Sequence, residues 1–232
     1  MYFHSDDDNL SDLLGFISRQ LAAMWGESEQ ESFLLKNSMR PALARILANY
    51  RHVKENLPRY SLQGQPAFSP LNSDQYCVFL HYLRDEVYRL ESSSPLPDKL
   101  FALNKMLHSV DFYSAALPEH FMVSHPLGAV IGRAAFPAAG HCLIYQQVTI
   151  GGSYGEGGVL HYPTIGNHVI LYAGAKLVGR AEIGDFSILA LGTCVKDEII
   201  PPRSLVFGTS PHLVIRPLSL KRYEELSPYV IK

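Results

Sequence analysis

Hydrophobic positions recur with a period of six in the second half of the chain. Six aliphatic residues are spaced without error: Ile165, Leu171, Leu177, Ile183, Leu189 and Val195. Four positions after each of the first five comes a small or β-branched residue: Val169, Ala175, Ala181, Ser187 and Thr193. A six-residue repeat fits one short strand plus a turn, so three repeats close a triangular coil with its aliphatic residues inside. A β-sandwich would show alternation at period two instead, so the pattern predicts a solenoid.

An earlier run keeps the same period but a different phase. It contains Ile131, Pro137 and Leu143, and the extra residues that separate the two runs fall in residues 151–161, GGSYGEGGVLH. We therefore expect this segment to form a loop that protrudes from the solenoid.

The first part of the chain has a helical pattern. Apolar residues recur at helical spacing over four stretches: residues 10–21, 33–53, 73–87 and 99–109. We expect Pro41 near a helix start or at a kink, and Ser73 as a helix cap. Residues 64–72 and 92–97 interrupt the pattern.

Glycine marks the division between these parts. Fourteen of the 17 glycines lie between Gly128 and Gly208. We predict an α-helical domain over residues 1–110, a solenoid domain over residues 111–216 and a C-terminal tail over residues 217–232.

Composition excludes several classes of protein. The chain has 232 residues, 47% hydrophobic and 18% charged, with a formal net charge of −2. This argues against disorder and gives no basic field for nucleic acid. There is no apolar run of about 18 residues, so we expect no membrane span. The N-terminus is acidic, unlike a signal peptide, and the three cysteines are scattered, so we expect a cytoplasmic setting.

The sequence lacks the motifs of two kinds of binding site. Neither His-Glu-x-x-His nor Cys-x-x-Cys occurs, so we expect no metal. The glycine-rich residues 151–158 lack the Gly-Lys-Ser/Thr of a nucleoside-triphosphate loop.

Three segments resemble the hexapeptide-repeat acyltransferases, in the serine acetyltransferase-like branch. HPLGAVIGRA at residues 125–134 resembles their His-x-x-Gly-x-x-Ile-Gly motif, and VTIGGSYGEGGVLHYPTIG at residues 148–166 resembles their glycine-rich loop and second histidine. YAGAKLVG at residues 172–179 resembles the next coil. The resemblance implies an α+β fold, with an N-terminal α-helical domain followed by a left-handed parallel β-helix.

The same resemblance implies acetyl transfer from acetyl-CoA to a hydroxyl, with no metal. His125 matches the family's general base, His161 the histidine that helps to hold the acceptor, and Asp111 is the candidate that orients the base. An alcohol needs such a base, because it is a poor nucleophile until its proton is removed. A carboxylate behind the imidazole fixes its tautomer.

Binding of CoA is expected along a groove between neighbouring solenoids. A backbone N–H of Gly151 or Gly152 is the expected oxyanion donor. The resemblance places backbone contacts to CoA near Gly152, Ala173 and Gly174, and Lys176 and Lys196 are candidates for its phosphates. It also implies a homotrimer or a dimer of trimers.

The acceptor is left open between two classes of molecule. In the serine enzymes an aspartate precedes the first histidine and an arginine precedes the second, whereas this chain has Ser124 and Leu160. A sugar or polysaccharide-precursor hydroxyl is therefore an alternative to serine, because the charges of an amino acid would be poorly paired at these two positions. A third alternative is a non-catalytic hexapeptide-repeat scaffold or regulatory protein.

Overall fold

The computed structural model describes residues 2–4, 10–54, 57, 59–112 and 117–230. The chain divides into two compact units, residues 1–108 and residues 109–232. Each unit has its own hydrophobic core.

The first unit is helical. Its helices are α1 (Ser11–Trp25), α2 (Glu29–Tyr50), α3 (Ser73–Leu90) and α4 (Leu96–His108). A short antiparallel pair, β1 (Ser61–Leu62) and β2 (Gln65–Pro66), lies between α2 and α3. The four helical stretches predicted from the sequence are confirmed.

The sequence predicted two details of these helices, and one of them is wrong. Pro41 lies inside α2 rather than near its start, which leaves the alternative, a kink at Pro41, as a prediction. Met39 and Leu43 on either side of it are buried, and this packing outweighs the hydrogen bond that proline cannot donate. Asn72, not Ser73, caps α3, because its side-chain oxygen accepts from the backbone N–H groups of the first turn and Ser73 is already helical.

The second unit is a parallel β-helix with three faces. Face A consists of β3 (His120–Ser124), β5 (His141–Tyr145), β10 (Val169–Leu171), β13 (Ile188–Leu189) and β16 (Ser204–Thr209). Face B consists of β4 (Val130–Ile131), β6 (Thr149–Gly151), β11 (Lys176–Val178) and β14 (Cys194–Lys196). Face C consists of β9 (Thr164–Ile165), β12 (Glu182–Ile183) and β15 (Ile199–Ile200). Each strand pairs in parallel with the same face of the next coil.

The period-six residues fill the interior of this β-helix. All the aliphatic and small residues of the two sets named from the sequence are at most 3% exposed. The pairs Leu171–Leu189 and Leu177–Val195 are in register, as the solenoid interpretation predicts. The polar members are satisfied by backbone: Ser187 and Thr193 donate to the carbonyl oxygens of Pro201 and Val206.

The last coil is covered by the C-terminal segment. Strand β17 (His212–Pro217) pairs antiparallel with β16, and helix α5 (Leu220–Leu226) follows. Tyr229 beyond α5 is buried, and its hydroxyl donates to the Cys142 carbonyl oxygen at 3.2 Å. The segment thus limits the exposed strand edge that an open β-helix would leave.

No helix among the described residues is both long and apolar enough to cross a membrane.

A buried polar pair lies in the first unit. His108 Nδ1 is 2.7 Å from Asn104 Oδ1, and both side chains are 4% exposed. Asn104 Nδ2 also donates to the Cys77 carbonyl oxygen. Burial lowers the pKa of His108 from 6.5 to about 4, although the hydrogen bond with Asn104 opposes this shift.

This histidine makes stability depend on pH. The native state keeps His108 neutral to about pH 4, whereas the unfolded chain takes up the proton near pH 6.5, so stability is lost as the pH falls from 6.5 towards 4. We expect the loss from this group to be about 2 kcal/mol between pH 7.5 and pH 5. The measurement is urea unfolding of the wild type and His108→Gln at both pH values. The variant should lack this part of the loss, whereas His212→Gln, at an exposed position, should retain it; equal losses in all three proteins would contradict the assignment.

Candidate active site

The turn between face A and face B is longer in the first coil than in the following coils. In the second coil Gln146 separates the end of face A from the left-handed residue Gln147. The equivalent pairs in the third and fourth coils are Ala173 before the left-handed Gly174 and Leu191 before the left-handed Gly192. Backbone hydrogen bonds stack these turns directly on one another. This A–B turn therefore repeats like the strands do.

The first coil adds two residues to this turn. Ser124 pairs with Tyr145, and Leu127 accepts a hydrogen bond from the N–H of Gln147, so the additional residues are His125 and Pro126. His125 adopts a left-handed backbone, with φ 53°, and is exposed. The insertion thus displays an imidazole outside the regular stack.

His125 lies at a groove that runs along the A–B turns. The groove has a volume of about 470 Å³ and is also lined by Tyr145, Tyr172, Ala173 and Phe207. The rings of the two tyrosines are 5.0 Å apart. Among the described residues that line the groove there is no Asp, Glu, Lys or Arg. Burial raises the pKa of Tyr172, although nearby Arg222 opposes the shift, so its hydroxyl stays protonated.

Asp111 lies beside the start of face B. Its backbone forms a parallel bridge with Val130, the residue that begins the first strand of that face. Residues opposite one another in a parallel ladder project to the same side, and Val130 is exposed. The Asp111 carboxyl therefore leaves the outer side of face B, beside the strand that follows the His125 turn.

His161 lies in the protruding loop, at the other edge of face B. The loop is an antiparallel hairpin of β7 (Ser153–Tyr154) and β8 (Leu160–His161) with a 3₁₀ turn at Glu156–Gly158. It leaves the B–C turn, whereas His125 occupies the A–B turn. The structure therefore brings His125 together with Ala173, and places His161 across the face from them.

Two glycines allow the hairpin to pack closely. A methyl group on Gly155 would lie 2.8 Å from Cδ2 and 2.9 Å from Nε2 of His161. A methyl group on Gly152 would lie 3.0 Å from two carbons of the Tyr162 ring. Both rings therefore rest directly on backbone, and Gly155 contacts the imidazole of the second candidate histidine.

The other candidates lie along face B. Gly151 ends β6 and pairs with Val178 of the next coil. Gly174 forms the third A–B turn, where its carbonyl oxygen accepts a hydrogen bond of 3.1 Å from Lys176 Nζ. Lys176 and Lys196 are both exposed, on adjacent strands of face B.

Sequence reasoning missed two features of this region. The first is the contact between Tyr145 and Tyr172, which occupy equivalent positions in successive coils once the residues of the protruding loop are left out of the six-residue repeat. The phase break in that repeat is the signal that could have predicted this register. The second feature is Arg133 in the B–C turn, whose guanidinium carbon lies 5.2 Å from the centroid of the Tyr162 ring. No motif marks this contact.

No family model matches the chain. A curated relative called serine acetyltransferase, from Synechococcus elongatus, is 34% identical over 122 residues, which are 52% of this chain and 49% of that protein. The matched region thus spans about half the length of this relative.

Solved structures match over more of the chain. Serine acetyltransferase from Neisseria gonorrhoeae in complex with serine has a TM-score of 0.65 at 21% identity and covers 91% of this chain and 84% of that one. A serine acetyltransferase in complex with CoA has a TM-score of 0.63 at 18% identity and covers 90% of this chain and 86% of that one.

These comparisons define the class of protein. The predicted fold class, an N-terminal helical domain followed by a left-handed hexapeptide-repeat β-helix, is confirmed. The resemblance to hexapeptide-repeat acyltransferases is also confirmed, and within them the chain is similar to the serine acetyltransferases.

The close contact at Gly155 gives a test of the loop geometry. Its φ of −96° and ψ of −166° suit any residue, so Gly155→Ala introduces only the steric clash with His161. We expect this variant to shift the imidazole signals of His161 in histidine-selective NMR, and to leave those of His125 in place. Tyr154→Ala changes a side chain that is 76% exposed in the same hairpin, and should shift neither. An unmoved His161 signal in Gly155→Ala would contradict the packing described above.

Proposed function

We propose that this protein transfers an acetyl group from acetyl-CoA to the hydroxyl of a small molecule. The observation that carries the proposal is the two-residue insertion that displays His125 at the groove. It gains support from the similarity to serine acetyltransferases, which also makes serine the first acceptor to test.

His125 acts as the general base in this reaction. Its neutral imidazole takes the proton of the acceptor hydroxyl while the oxygen attacks the thioester carbonyl carbon. The tetrahedral intermediate then expels the CoA sulfur, which receives the same proton from the imidazolium. Asp111 is the proposed partner that favours the charged imidazole, and a backbone N–H of Gly151 or Gly152 is the proposed donor to the oxyanion.

CoA is proposed to bind along the coils. A related fold is known in complex with CoA. Ala173 lines a groove without fixed charge, which suits the uncharged pantetheine chain, and Gly174 follows Ala173 in the same turn. Lys176 and Lys196 project from face B and supply positive charge for the phosphates.

A complete site is proposed to need two copies of the chain. His125 and His161 leave opposite edges of face B, and strand β6 between those edges is three residues long, about 10 Å. A small acceptor is too short to touch both histidines across that face. A neighbouring copy in a trimer, or in a dimer of trimers, would bring its His161 to this chain's His125.

Different observations favour different classes of acceptor. Similarity to the serine acetyltransferases favours serine. The uncharged Ser124 and Leu160, and a groove without fixed charge, favour a sugar hydroxyl instead. A non-catalytic scaffold is the remaining alternative, and the cytoplasmic location stays a prediction from the sequence.

Replacing the proposed base tests the function. We expect His125→Ala to lower the rate of thiol release from acetyl-CoA by roughly 10²–10⁴-fold, the usual contribution of a general base, while CoA binding is kept. The assay uses serine and then a panel of sugars as acceptors, with calorimetry for CoA. A variant that acetylates at the wild-type rate excludes His125 as the base. Absence of thiol release by the wild type with every acceptor favours the scaffold.

Mixing two inactive variants tests the shared site. In a trimer with sites between copies, His125→Ala and His161→Ala subunits assembled together form some sites with both histidines intact. Random assortment at equal amounts gives roughly a quarter of the wild-type number of sites. We therefore expect about this fraction of activity after co-expression with two different tags. If mixed assemblies are as inactive as each variant alone, the two histidines do not act across an interface.

A further inference from the structure

Arg133 presents an unneutralised positive charge beside the loop. Its side chain is exposed, and among the described residues it makes no salt bridge. Its guanidinium lies over the face of the Tyr162 ring. A cation–π contact orients a guanidinium without neutralising it, so the charge and the N–H donors remain available to an anion.

The position of Arg133 relative to His161 follows from the coil geometry. Arg133 occupies the B–C turn of the first coil, and the hairpin leaves the same turn of the second coil, so their backbones are one coil spacing of about 4.8 Å apart. Tyr162 directly follows His161, and its ring rests on Gly152 at the base of the hairpin. The guanidinium is therefore held beside the strand that carries the imidazole.

The residues nearest His161 in the chain supply no permanent positive charge. Leu160 is aliphatic and 38% exposed, and Tyr162 carries a phenol ring. The hairpin has one charged residue, Glu156 at its tip, and this is negative. An anionic acceptor held at His161 would thus need a cation from another coil.

We infer that Arg133 binds the carboxylate of an amino-acid acceptor and so determines acceptor specificity. This inference rests on the proposed function and deepens it. A guanidinium presents paired N–H donors that match the two oxygens of a carboxylate. The Tyr162 ring fixes the guanidinium, so less side-chain entropy is lost when the acceptor binds.

The experiment compares two acceptors that differ only in this group. L-Serine carries a carboxylate, and L-serinamide carries a neutral amide in its place. Arg133→Met should lower kcat/KM for serine by about 10- to 100-fold, the usual range for a charge-assisted hydrogen bond, and should leave serinamide within about twofold. The KM for acetyl-CoA should not change.

The chain provides a matched control. Arg180 is an exposed arginine in the B–C turn of the third coil, and its backbone N–H donates a hydrogen bond to Asp197 Oδ1. Arg180→Met removes the same charge without touching Tyr162, and should retain the preference for serine. Tyr162→Phe should also retain it, whereas Tyr162→Ala should lose part of it. Thermal unfolding of each variant checks the fold.

Four results would overturn the inference. Equal losses with serine and serinamide in Arg133→Met would show that Arg133 only positions the loop. A raised KM for acetyl-CoA with an unchanged serine preference would assign the arginine to a CoA phosphate. Wild-type turnover of sugars but not of serine would remove the carboxylate and leave acetyl transfer intact. No thiol release with any acceptor would overturn the proposed function as well.

Discussion

The β-helix depends on each coil lying in register on the coil before it. Parallel pairing fixes the spacing between coils, and the aliphatic columns fix which residues face inward, so a shift by one residue would expose an entire column. The burial of Leu171, Leu177 and Ile183 shows how complete this constraint is. A regular coil offers no distinct position for a reactive group. Its inward positions are filled by the aliphatic columns, and its outward positions are equivalent from one coil to the next.

The candidate chemistry therefore lies where the regular repeat is interrupted. The A–B turn gains two residues and displays His125, and the B–C turn gains a hairpin that carries His161. Neither interruption disturbs the strands that flank it: β4 and β6 still pair in register, as do β6 and β11. The stack thus acts as a rigid frame that fixes the direction in which each irregular segment leaves.

Much of the fold follows from the sequence, since periodicity reports directly on burial. The six-residue columns, the phase break at the loop and the four helical stretches were all predictable. Pro41 lies inside α2 rather than near its start, because burial of the residues on both sides of it overrides a local preference. The cap of α3 was shifted by one residue because Asn72 and Ser73 are both good capping residues, and only the backbone angles decide between them.

The candidate site was less predictable, because its contacts join positions that no repeat links. Motif resemblance located His125, His161 and Asp111, and their roles stay predictions. The contact between Arg133 and Tyr162 depends on how the hairpin closes, which is set by the glycines that admit its two rings. The residues next to His161 in the sequence carry no positive charge, and Arg133 of the preceding coil supplies one nearby in space. Comparison with a motif considers only the residues that adjoin the histidine along the chain. Residues of the adjacent coils are equally close in space, because neighbouring coils are about 4.8 Å apart.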